Sequence, residues 1–225
     1  MLPKKEVSPM NENKVLFDDK VITMAALYWI SIIAEGQDHD NGSLDFASLM
    51  CARLANNAAI KVPVENLRKF KEAFAKHFKL LTDKYPNSKE VTTYCDYSPG
   101  LVIRDAAEEA GINEIQFPYK TGILIGPNYI LERRPYKHWE SFKDAIIYCD
   151  HNYFKKLIAD EQERISGYKL EKDEWWYGSL SERERMEGVE NCKKNIEVYQ
   201  NYLNTMPDPY IRDDMKTLLE DKRYQ

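Results

Sequence analysis

The stretch from Val21 to Ala34 is the most apolar in the chain, and its fourteen residues are too few to cross a bilayer. Its flanks also differ from those of a signal sequence. Such a segment has to be covered by other parts of the chain, so a folded core is required. Asp18 or Asp19 can cap a helix running to about Glu35. Within it, Ile22, Ala25, Ala26, Trp29, Ile32 and Ile33 follow the 3,1,3,3,1 spacing of a broad buried face. A chain of 225 residues can supply the rest of that core.

Further helical patterns follow. One is expected from about Leu44 to Ala59. Pro63 opens another that reaches about Asp83, with Leu67, Phe70, Phe74, His77, Phe78 and Leu81 on one stripe. The pattern changes after Tyr85-Pro86-Asn87. The segment 90–94 (EVTTY) reads as a strand, 101–110 as a short helix closed by Gly111, and EIQF as a second strand. Pro127-Asn128 joins TGILIG to YILERR, so a β-hairpin is expected at about 121–134. From Trp139 to about Gly167 the pattern is helical. Ser181 and Glu184 then match a capping box for a long helix with the stripe Met186, Val189, Cys192, Ile196, Tyr199 and Leu203. Pro207 and Pro209 stop it, and a short helix is expected over roughly 210–221. Helices flanking one small antiparallel or mixed sheet define an α+β class. The expected parts are a flexible tail at 1–17, a helical part at 18–88, a small α/β part at 89–150 and an acidic helical part at 151–225, which can pack as one compact domain.

Charge separates these parts. Residues 1–157 carry 21 basic and 21 acidic side chains, whereas 158–225 carry 11 and 16, so the net −5 lies in the last third. That distribution is the reverse of the focused positive field used on duplex nucleic acid. The four cysteines, Cys51, Cys95, Cys149 and Cys192, include no short-spaced pair, and no zinc ribbon or thioredoxin motif can be read. A reducing cytosol is the expected location. The 22 lysines against 10 arginines, with 15 tyrosines, suit an AT-rich bacterial or phage genome.

Five groups of residues can be weighed as sites. The loop from Gln37 to Ser48 resembles a degenerate calcium loop of the EF-hand family, with Gly42 at its sharp sixth position and Gln37, His39 and Asn41 at ligand positions. Ser48 stands where a bidentate glutamate is needed, so an ordinary helix connection capped by Asp40 or Ser43 is preferred and no metal is assigned. Residues 61–84 carry a net +4 and offer a basic face to nucleic acid, an acidic protein or a membrane surface, although a lysine-rich outer face of a core helix is the simpler reading. Arg133, Arg134, Lys137 and His138, interleaved with Tyr136 and Trp139, form a candidate anion or ligand surface, which Asp105, Glu108 and Glu109 could neutralise. Tyr94-Cys95-Asp96 and Tyr148-Cys149-Asp150-His151 could build a metal or nucleophile site only if they met. Last, Trp175, Trp176 and Tyr177 sit among Glu171, Asp173 and Glu174, and adjacent indoles in a polar link serve as a lid on the core or as interface anchors.

Glycine is scarce, and none of the phosphate-loop, nucleophile-elbow, zincin or dinucleotide motifs is present. The sequence therefore favours a non-catalytic protein-binding module without a cofactor, acting through the 171–177 surface. A phage- or bacteria-encoded inhibitor or adaptor of a nucleic-acid- or nucleotide-dependent complex fits that profile. Two alternatives remain. One is an enzyme on a phosphate-bearing substrate, using the 133–138 cations with Asp105, Glu108 or Glu132 as base. The other is single-stranded nucleic-acid binding. The 181–205 helix is also a candidate homo-oligomer seam, and no membrane contact is expected.

Overall fold

The computed structural model describes residues 15–35, 62–96, 98–117, 120–133, 142–169 and 180–224. Among these are six helices and a five-stranded sheet: α1 (Asp19–Glu35), α2 (Val64–Lys84), β1 (Val91–Cys95), α3 (Leu101–Ala110), β2 (Thr121–Gly126), β3 (Tyr129–Arg133), β4 (Ile146–Cys149), α4 (His151–Lys169), α5 (Glu182–Thr205), β5 (Tyr210–Ile211) and α6 (Asp213–Glu220). The strands lie in the order β1-β2-β3-β4-β5, each antiparallel to its neighbours. The α+β class is thus correct, and the sheet is wholly antiparallel. The expected helix at 44–59, the loop at 37–48 and residues 1–14 lie outside the described residues.

Local chemistry explains most boundaries. Pro63 occupies the N-cap position of α2, and its missing N–H costs nothing there. Gly111 takes φ 66° and ψ 34° beyond α3, and its N–H and that of Ile112 close the final carbonyls. Gly126 pairs with Tyr129 across the Pro127-Asn128 turn. A side chain on Gly126 would run into the Tyr129 ring, so only glycine fits that closely. Ser181 and Glu184 form the reciprocal capping box of α5.

Two expectations need correction. EIQF is a single 3₁₀ turn, Glu114–Gln116, rather than a strand. The helix expected from Trp139 begins only at His151, and Ile146–Cys149 before it is β4, buried at all four positions. A four-residue apolar run buried on both faces carries no alternation, and periodicity cannot separate it from a helix.

Each face of the sheet has its own core. One holds Val91, Cys95, Ile123, Ile125, Ile130 and Ile147 under α1, α2, α3 and α6, with Trp29, Phe70, Phe74 and Phe78 completely buried. The other holds Tyr129, Ile146 and Cys149 under the first turns of α4 and the last turns of α5. Polar links pin α1 in place. Trp29 Nε1 donates to Thr93 Oγ1 at 3.0 Å, and Tyr28 donates to Glu132 Oε1 at 2.9 Å. Glu132, 3% exposed, also receives Arg212 Nη1 at 2.7 Å, and Arg212 forks onto both oxygens of Asp214. Burial works against the Arg212 charge. The Asp214 hydrogen bonds and the Glu132 charge outweigh it, and the guanidinium is held above its ordinary range.

Candidate functional site

The second core draws from α4 only Tyr153, Phe154 and Leu157, and from the end of α5 only Tyr199, Tyr202, Leu203 and the following Met206. Neither core includes any described residue between 158 and 198. The far parts of α4 and α5 therefore form an antiparallel arm running on from the sheet. The α4 part alone, 158–169, adds about 18 Å at 1.5 Å per residue. Between these helices the seam includes a buried polar cluster. Glu161, 6% exposed, accepts from Asn195 at 2.9 Å, from the Cys192 thiol and from Arg164 at 3.3 Å. Gly188 lies against the Tyr168 ring, where any Cβ would collide, which brings the helices close.

The stripe expected for α5 is largely kept. Cys192 is buried, and Val189, Ile196, Tyr199 and Leu203 are half-buried. Met186 is the exception: it turns outward and is 67% exposed. Beside it on the surface of α5 are Glu187, Glu190, Asn191 and Lys194. The segment that joins α4 to α5 contains Glu171, Asp173, Glu174, Trp175, Trp176 and Tyr177, and lies outside the described residues. Its two attachment points, Lys169 and Leu180, are at the end of the arm remote from the second core.

The basic face of α2 is engaged within the chain. Arg68 Nε donates to the Arg223 carbonyl at 2.9 Å, and Lys71 donates to the carbonyl of Tyr224. Lys76 pairs with Glu109 at 2.8 Å and Lys79 with Asp19 at 2.7 Å. Lys76 first, and then His77, hold the Glu109 carboxyl below its usual range through hydrogen bonds. Contrary to expectation, Glu109 thus answers α2 rather than the hairpin exit, and Asp105 pairs with Arg104. Arg133 is exposed at the end of β3, whereas Arg134, Lys137 and His138 lie outside the described residues. Glu132, weighed above as a base, is instead a buried partner of Arg212 and Tyr28. No signal local to the sequence links positions 132 and 212.

The two cysteine tripeptides do not meet. Cys95 and Cys149 are buried in the cores on opposite faces of the sheet, with two strands between theirs. His151 Nε2 lies 3.1 Å from the Met206 carbonyl and Nδ1 3.5 Å from Asp208, so the ring is oriented by α5's exit rather than by a thiol. Among the described residues no group of three or more His, Cys, Asp or Glu is arranged to hold a metal ion. No described helix is long and apolar enough to cross a membrane. No protein-family model, curated protein or solved structure matches the chain.

Burial pushes the Cys95 and Cys149 thiols up to about 12 from 9.0, helped by Asp96 and Asp150 respectively. Burial also raises Tyr129 and Tyr153, with Glu90 adding to the first. Below pH 9 the two thiols are neutral in both the folded and the unfolded chain and leave stability unchanged. Above it the unfolded chain loses those protons and the folded one keeps them to about 12, so stability falls between these limits. Urea midpoints should therefore decline steadily from about pH 9 upward. A constant or rising midpoint would contradict the assignment. Native Cys95 and Cys149 should likewise resist thiol reagents until urea is added, as site-resolved mass spectrometry would show.

Proposed function

We propose that this protein is a non-catalytic binding module that engages another protein through the end of the α4–α5 arm. Glu171, Asp173, Glu174, Trp175, Trp176 and Tyr177 supply the contact. The observation that supports this reading is the anchoring of that segment: both helices leading to it run past the core, and it is tethered where docking costs the fold little. Indole and phenol rings provide the apolar anchors, and the surrounding carboxylates select a basic or mixed partner surface. The composition extends the proposal to an inhibitor or adaptor, of phage or bacterial origin, that acts on a nucleic-acid- or nucleotide-dependent complex.

Affinity capture from cells of the native host, with the intact chain as bait, tests it. Wild type should retain a defined partner, and Trp175→Ala/Trp176→Ala should lose it while unfolding stability changes by no more than about 0.5 kcal/mol. Retention by the double variant would refute the contact. A large loss of stability would instead place both rings in the core.

A further inference from the structure

We propose that the outward face of α5 is an isologous interface for a second copy of this chain. At 100° per residue, the side chains facing α4 cluster around Cys192: Gly188 against Tyr168, Asn195 on Glu161, and Tyr199 in the second core. Met186, Glu190, Lys194 and Val198 then fall about 120°, 160°, 200° and 240° around the helix from Cys192, centred on the side turned away from α4. All four are well exposed, Met186 at 67% and Val198 at 43%. Consecutive members are four residues apart, so they form one i±4 ridge.

The ridge reads apolar, acid, base, apolar. A two-fold axis at the level of Cys192 sets Met186 opposite the second copy's Val198 and Glu190 opposite its Lys194, and the reverse pairs follow by symmetry. At these two positions each copy meets a charge of the opposite sign, the kind of self-complementarity that a closed dimer uses. A two-fold axis placed across the helix at Cys192 makes the two copies of α5 antiparallel. Within one chain Glu190 and Lys194 are only loosely paired, at 3.9 Å, and remain available. This interface is separate from the 171–177 contact and does not depend on it.

Sedimentation equilibrium of the intact chain at low ionic strength, between about 5 and 200 μM, is the test. Wild type should show a reversible monomer–dimer equilibrium that weakens with salt. Glu190→Lys and Lys194→Glu should each raise the dissociation constant about tenfold or more, because like charges then meet twice. The swapped double variant Glu190→Lys/Lys194→Glu restores opposite charges and should return it to within about threefold of wild type. Val198→Asp, at the end of the same ridge, should also disperse the dimer. Trp175→Ala/Trp176→Ala should leave it intact, which separates this interface from the arm-end contact. A chain that stays monomeric at the highest concentration, a dimer indifferent to the single reversals, or a double variant as weak as either single overturns the proposal. Circular dichroism of each variant establishes that it is folded.

Discussion

Trp29→Ala is expected to remove about 3–5 kcal/mol of stability, read as a lowered urea midpoint at unchanged slope. Trp29 is completely buried, with its ring 5.6 Å from Tyr28 and 6.2 Å from Phe117. Truncation would leave a large void at the place where α1 meets β1, and the helices around it can close only part of the gap. The same change removes the donor that reaches Thr93 Oγ1. Trp29→Phe goes some way to separating these effects, since it keeps most of the ring volume while losing the hydrogen bond and a smaller part of the ring. Its expected cost is about 1–2 kcal/mol. Equal losses for the two variants would mean that the hydrogen bond, rather than volume, anchors α1.

The second large effect belongs to Arg212. Arg212→Met takes the cation away from Glu132, whose side chain is 1% exposed, and should cost about 3–5 kcal/mol. Most of that cost comes from the buried charge left behind. The double variant Glu132→Gln/Arg212→Met should consequently be more stable than Arg212→Met alone, because the buried group is then neutral. Additive losses in this cycle would show that Glu132 and Arg212 do not act as a unit. The pair holds β3, at position 132, to the start of α6, which is 80 residues away in sequence.

What could be read from the sequence was whatever rests on neighbours within a few positions. The phenylalanine stripe of α2, Gly111 after α3, the Pro127-Asn128 turn and the Ser181–Glu184 box are all local signals, and each stands where its chemistry put it. β4 carries no such signal because both its faces are apolar, and β5 none because two residues have no period. Met186 continues the apolar spacing of α5, yet two successive steps of three carry it about 120° round from Cys192 and out of the seam. The use made of the α2 lysines was hidden for a different reason. Their acceptors are Asp19, Glu109 and the carbonyls near position 224, which only the tertiary fold brings together. The division of apolar residues between the two faces of the sheet depends on strand order, which no local pattern encodes.

The polar links of α1 also set an order of events on the ribosome. This helix is made before every other described element, yet Thr93 and Glu132, which receive its Trp29 and Tyr28, are translated about 64 and 104 residues later. Met215, which seals the same core from α6, comes later still. Until α2 and then the sheet follow, the nascent chain carries a sticky segment with incomplete cover, a natural client for chaperones that shield greasy surfaces during synthesis.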